Sequence, residues 1–351
     1  MPSPGGGDSP RPFLVFSPPC SDGGVDGDRV SQHRTLSIIV RQQRGDVTAR
    51  CKNPGEQNMK VGIVGLGRMG AAMSQRLRQQ GCDVVGWDHK TDATRPLTAD
   101  GLRIAANARD VAAQSDVVIS IITEDHGVRR IFNGPDGFLD GDVTGKLFID
   151  MSTLQPMTGR ELAPLVAGKG ARLIESPVLG TIPQVRAGTL FAMVGGRAED
   201  LDRARAVLEK MTRRIVHMGP NGAGYAMKLA VNLGLGAYIQ AVSESLALGL
   251  QQGLTLDQML DVLQEAPYAS GWLKSKLDVL KGAPAEMTLD IRTLRKDLMS
   301  AVATGALSGV PMPLSAAVLT SLSAAVADDY GSGDLAELPK FLREAMLQNF
   351  D

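Results

Sequence analysis

Between residues 59 and 219, short apolar runs alternate with longer amphipathic ones. The runs at 60–65, 83–87, 116–122 and 147–150 are brief, rich in Val and Ile, and apolar at consecutive positions, as expected for strands buried on both faces. Helical periodicity fills the intervals, as at 71–80 and 156–167. Alternation of this kind predicts right-handed βαβ units, hence a doubly wound α/β sheet of mainly parallel strands. Shorter runs at 172–174, 191–195 and 215–218 extend the same sheet.

After Gly219 the strand pattern stops. Residues 222–252 form one long helical stretch rich in Ala and Leu, and further helices are expected at 255–265, 271–281, 290–304, 313–327 and 335–347. Gly253, Pro267 and Gly331-Ser332-Gly333 punctuate them. The long stretch contains Gly224, Gly234, Gly236 and Gly249, each unfavourable by up to ~1 kcal/mol relative to Ala inside a helix, so close helix packing is expected there. The organisation is therefore a Rossmann-type sheet domain over 59–219 followed by an all-helical domain over 220–351.

Residues 1–58 follow neither pattern. Gly and Pro are dense, periodicity is absent, and the stretch reads as a disordered leader. Its aspartates (Asp8, Asp22, Asp26, Asp28 and Asp46) argue against a transit peptide, and the apolar run at 13–16 is too short for a signal core. The run at 36–40 is a candidate short strand with no evident partner. Met59 opens the first strand of the sheet and is a candidate natural start.

Composition narrows the function classes. In 351 residues, 37 Lys and Arg balance 38 Asp and Glu, so no global field favours nucleic acid or an anionic membrane. No apolar run is expected to reach a membrane span. Three cysteines without ligand spacing and four scattered histidines argue against a metal site and suit a reducing, cytoplasmic compartment.

The candidate chemistry begins at Gly65-Leu66-Gly67-Arg68-Met69-Gly70, between a predicted strand and a predicted helix. In Gly-x-Gly-x-x-Gly the glycines serve the turn, the approach of a pyrophosphate and helix–sheet packing, and the anion sits on free N–H groups at the helix start. Asp88 closes the next strand, where an acidic residue binds a ribose diol. That favours NAD, although Lys90 and Arg95 follow closely and leave NADP open.

Lys228 and Asn232, at i and i+4 on the long helix, share one face among Ala, Leu and Val. A desolvated lysine there is a candidate acid or base; a snorkelling lysine is the equal alternative. Ser152 and Thr153 follow a strand end and are either ligand contacts or helix caps. Lys296-Asp297 reads by itself as a surface pair. Glu244 either pairs locally or holds Asn232; Tyr268 and Trp272 are core or pocket-wall aromatics; His89 is a solvated loop residue.

The ordered set 65–70, 150–153, 222–228 with Asn232, and 296–298, joined by 176–180 and 188–196, resembles the β-hydroxyacid dehydrogenase family over 59–347. The resemblance implies an NAD(P)-dependent oxidoreductase with a small-molecule substrate, no metal, and a homodimer or tetramer assembled through its helical domain. It implies Lys228 as acid/base, Asn232 orienting the substrate, Lys296 near the nicotinamide, and cofactor contacts at Ile122, Thr123 and Thr153. Substrate contacts fall on Ser152 and on Leu179-Gly180-Thr181. The family commonly carries Ser-Gly-Gly at those last three positions, so Leu179 is a departure, and Thr181 with backbone N–H groups is left to hold the substrate carboxylate. The alternatives are an imine reductase of the same fold, which usually lacks the lysine, and a non-catalytic dinucleotide-binding module.

Overall fold

The computed structural model describes residues 59–284 and 287–347. The leader, its candidate strand at 36–40, Cys20 and Cys51 lie outside the described residues.

Nine strands form one sheet: β1 Lys60–Val64, β2 Asp83–Trp87, β3 Arg103–Ile104, β4 Val117–Ser120, β5 Leu147–Asp150, β6 Arg172–Glu175, β7 Val178–Leu179, β8 Leu190–Gly195 and β9 Thr212–Gly219. The order is β3-β2-β1-β4-β5-β6-β8-β7, with β9 also on β8. Pairing is parallel from β3 through to β6, as the apolar runs predict. It turns antiparallel at β6/β8 and β7/β8. The doubly wound sheet thus carries an antiparallel margin. Strand β4 is shorter than expected because its ladders to β1 and β5 end at Ser120, which releases Ile121 and Ile122 into a loop. Strands β3 and β7 have two residues each, too few for a period of two to be visible.

Both faces of the sheet are covered. Met73, Leu77, Val207 and Leu208 pack on one, and Phe132, Phe138 and Phe148 on the other. The rings of Phe132 and Phe138 meet edge to face at 4.9 Å, the arrangement their quadrupoles favour.

Beyond β9 the structure is helical: Ala223–Gln251, Leu256–Leu263, Gly271–Leu280, Ile291–Leu307, Pro313–Ala327 and Leu338–Leu347. The last helix begins later than expected, because Asp334 caps a separate 3₁₀ turn at Leu335–Glu337. Ile239 of the long helix joins Leu294, Leu298, Val318 and Leu322 in a core of its own. Close packing holds at Gly236, where an added Cβ would lie 3.1 Å from Leu298, whereas Gly234 has open space. By length and composition, Ala223–Gln251 is apolar enough to cross a membrane. That departs from the expectation of no such run. The helix packs on the sheet margin at one end and on its sister helices along its course.

Buried carboxylates fasten the start of this helix to the sheet. Glu175, at the end of β6, is fully buried and accepts hydrogen bonds from the Gly222 N–H and from the Tyr225 N–H at 3.4 Å. Asp150, at the end of β5, accepts from the Tyr225 hydroxyl at 2.7 Å, from Ser152 N–H at 3.0 Å and from Ser120 Oγ. Burial pushes Glu175 up to about 7 from its ordinary 4.5, against the pull of its N–H donors and with help from the Asp150 charge.

A raised carboxyl value means that the native state holds the proton more tightly than the unfolded chain. The stabilisation is therefore complete below about pH 4.5 and disappears as pH rises through about 7. Denaturant unfolding across that window is expected to show a loss from this group of about 3 kcal/mol. In Glu175→Gln that portion of the pH dependence should vanish; an unchanged slope would assign it elsewhere.

Candidate active site

Strand ends and the long helix meet around a cavity of about 430 Å³. It lies at the carboxyl end of the parallel strands, where this architecture places ligands. Gly67 lines it from the turn after β1, Arg68, Met69 and Gly70 from the first turn of the helix that follows, Ile122 and Thr123 from the loop after β4, and Ser152 and Thr153 from the loop after β5. Leu179, Gly180 and Thr181 come from β7 and its exit, Lys228 and Asn232 from the long helix, and Lys296 from the helix Ile291–Leu307. Gly65, Leu66 and Asp88 do not line the cavity. Leu66 N–H donates to Asp88 Oδ2 at 2.7 Å, which joins the glycine loop to the end of β2.

The glycine loop fits a dinucleotide. Gly67 is the N-cap of the helix Arg68–Gln79 and makes no side-chain cap, so the N–H groups of the first turn have no partner within the helix. A Cβ added at Gly67 would meet nothing within 4 Å, which leaves room for a pyrophosphate to come close. A Cβ at Gly70 would lie 1.8 Å from the Gly65 carbonyl oxygen. Asp88 Oδ1 also accepts from Lys90 N–H at 2.8 Å, which fixes the carboxylate at the strand end.

Lys228 is half-buried, and its Nζ donates to the Val178 carbonyl at 3.0 Å. Loss of hydration lowers its pKa from 10.5; nearby Asp297 opposes that shift and the Lys296 charge adds to it. One turn on, Asn232 is only 4% exposed. Its Nδ2 donates to Asp297 Oδ2 at 2.6 Å, which orients the amide.

Asp297 is 2% exposed, so Lys296-Asp297 is not the surface pair that the two residues suggest by themselves. Lys296 Nζ lies 2.7 Å from Asp297 Oδ1 and donates to the carbonyls of Thr123, at 2.9 Å, and Thr153, at 2.7 Å. One ammonium thereby ties the helical region to two loops of the sheet. Arg68, paired with Asp290 at 3.1 Å, makes a second such tie.

Several expectations need revision. Thr181 directs both its N–H and its hydroxyl to Gln184 Oε1, in a capping box, so its donors are engaged within its own turn rather than free for a carboxylate. The Ser152 hydroxyl oxygen accepts from Ile122 N–H at 2.9 Å, so Ser152 also braces the two loops. Glu244 accepts from Gln240 and does not hold Asn232. Tyr268 is 64% exposed, whereas Trp272 lines the cavity. His89 is exposed beside Asp88, as expected. Val231 and Leu235 also line the site; their spacing of three and seven residues from Lys228 was the signal available for them.

A family model described as the NAD binding domain of 6-phosphogluconate dehydrogenase matches residues 60–219. Another, described as NAD-binding of NADP-dependent 3-hydroxyisobutyrate dehydrogenase, matches residues 222–342. The 3-hydroxyisobutyrate dehydrogenase of Pseudomonas aeruginosa is 34% identical over 294 residues, covering 81% of this chain and 98% of that protein. The 2-(hydroxymethyl)glutarate dehydrogenase of Eubacterium barkeri is 30% identical over 288 residues, covering 81% and 95%. Among solved structures, Mycobacterium tuberculosis 3-hydroxyisobutyrate dehydrogenase with L-serine superposes with a TM-score of 0.72 at 30% identity, covering 82% of this chain and 100% of that one.

The glycine geometry separates folding from binding. Gly67 has φ −61°, which alanine adopts freely, so Gly67→Ala should keep its melting temperature. Its affinity for nicotinamide cofactor should fall roughly tenfold or more, because the methyl group occupies the approach to the pyrophosphate. Gly70→Ala should lose stability as well, through the clash with the Gly65 carbonyl. Thermal melts with and without cofactor read both effects.

Proposed function

Because the chain belongs to the β-hydroxyacid dehydrogenase family and is an NAD(P)-dependent hydroxyacid dehydrogenase, we propose that it interconverts a 3-hydroxy acid and its semialdehyde, with Lys228 as the proton-transfer group. The observation that carries the reading is the desolvated Lys228 on the cavity wall beside Asn232, whose amide is oriented by Asp297.

A bound nicotinamide would supply the hydride acceptor for oxidation of the carbinol carbon and the hydride donor for reduction. Neutral Lys228 Nζ accepts the hydroxyl proton as the C–H bond breaks and the carbonyl forms. In the reverse direction its ammonium donates to the aldehyde oxygen. The Val178 carbonyl anchors Nζ, and loss of hydration, helped by the Lys296 charge, lowers the pKa of the amine and so favours its neutral, proton-accepting form. Asn232 orients the substrate. Residues 65–70 would hold the pyrophosphate, and Ile122, Thr123, Thr153 and Lys296 would flank the nicotinamide end.

Asp88 supports NAD over NADP, since its carboxylate pairs with a ribose diol and repels a 2′-phosphate. Arg95, a residue that would offset the repulsion, is paired with Asp92 at 3.2 Å. Residues 59–219 act as the cofactor domain and 220–351 as the substrate and assembly domain. Homo-oligomer formation through the helices is supported by exposed Leu248, Leu307, Val310 and Leu314.

In Lys228→Ala, kcat should fall by roughly 10²–10⁴ with the cofactor Kd unchanged. Wild-type oxidation should rise with pH as Lys228 loses its proton and level off below the ordinary lysine value of 10.5; the variant should lack that limb. Retention of both rate and limb in the variant would remove Lys228 from the mechanism. NADH should surpass NADPH in kcat/KM, and Asp88→Ser should narrow the gap; equal use of both would refute the Asp88 argument.

A further inference from the structure

Beyond Lys228 and Asn232 the cavity continues along the long helix. Residues 228, 231, 232 and 235 follow i, i+3, i+4, i+7 spacing and all line it. At 1.5 Å per residue, Leu235 stands about 10 Å further along the helix axis than Lys228. The reacting end therefore has a polar pair, and the far end does not.

The walls facing that extension are apolar as well. Trp272, Leu289 and Leu335 come from the helical region, and Leu179 stands at the sheet edge. Trp272 is held in place, its ring edge-on to Tyr238 at 6.3 Å, while the Tyr238 hydroxyl accepts from Ser270 N–H at 3.1 Å. The polar groups of Thr288 are taken: its N–H and hydroxyl both donate to Asp334 Oδ2, at 2.9 and 3.0 Å.

Among the described residues lining the cavity, the cations are Arg68, Lys228 and Lys296. Arg68 is paired with Asp290, and Lys296 with Asp297 and two carbonyls. A second charged group on the substrate arm would be desolvated against these walls with no counter-ion beyond Lys228 left unpaired among the described lining residues, which disfavours it. An alkyl or aryl arm would be stabilised by the same burial.

We propose that the site selects 3-hydroxy acids, or the matching semialdehydes, whose C2 substituent is apolar and larger than methyl. That substituent seats against Leu179, Val231, Leu235, Trp272, Leu289 and Leu335. The inference rests on the oxidoreductase reading above and specifies its substrate.

The test is steady-state oxidation of 3-hydroxypropanoates bearing hydrogen, methyl, ethyl, butyl or benzyl at C2, beside serine and 2-(hydroxymethyl)glutarate. Each methylene seated should raise kcat/KM roughly fourfold, as far as the butyl acid. Saturated acids supply a readout independent of turnover. Calorimetric titration of the enzyme with its cofactor present should show 2-methylhexanoate binding more tightly than 2-methylpropanoate by a similar factor per methylene. Leu179→Ser, with its fold checked by its melting temperature, should lower the ratio of butyl acid to serine by tenfold or more. Turnover confined to serine, the glutarate or the unsubstituted acid would overturn the apolar subsite and leave the dehydrogenase reading standing. A flat calorimetric series would overturn it as well. No turnover of any acid, with cofactor bound, would overturn both readings together.

Discussion

The site depends on how the long helix is fastened to the sheet. Glu175 and Asp150 end neighbouring strands of one parallel ladder, and between them they hold the first turn of that helix through Gly222 and Tyr225. Burying two carboxylates is unfavourable unless their lone pairs are satisfied. Here N–H and hydroxyl donors satisfy them, two of the N–H groups and one hydroxyl coming from the first turn of the helix. Lys228 follows one turn after Tyr225, so the position of its amine is inherited from this knot. Asp150 also receives the Ser152 N–H, which extends the same fastening into a loop that lines the cavity.

A second set of constraints acts across the mouth of the cleft. Lys296 reaches two backbone carbonyls of the sheet loops, and Asp297 beside it orients Asn232. Adjacent residues thus have separate duties: one joins the helical region to the sheet, the other orients the Asn232 amide on the cavity wall. Both depend on the Ile291–Leu307 helix, whose start is capped by Asp290, the residue that also pairs with Arg68 of the glycine loop. Loop, helix and site residues are mechanically one assembly.

Much of this was legible in the chain. Parallel strands buried on both faces write themselves as continuous Val and Ile runs, and the glycine motif between β1 and its helix was visible for the same reason. Lys228 and Asn232 stood out as polar residues at helical spacing on an apolar helix. The partners that give them chemical meaning were not visible. Asp297 is indistinguishable in sequence from a solvated aspartate, because its burial depends on a helix 65 residues earlier in the chain. Glu175 ends a strand in a way that reads as ordinary polar punctuation, and its long-range N–H donors lie past β9. Thr181 lines the cavity, but its N–H and hydroxyl are directed to a local partner, Gln184, three residues on, which its sequence position as a ligand candidate does not reveal.

Strand β7 has a wider consequence. It is only two residues long and closes the path of the sheet, paired on one side to β8. Leu179 sits there, outside the parallel ladder, next to Val178, whose carbonyl accepts from Lys228 Nζ. A residue that shapes a binding cavity from a short margin strand is free to vary without disturbing what holds the molecule together. The architecture thus separates what must be preserved from what can drift, and lineages built on it can explore new substrates one edge residue at a time.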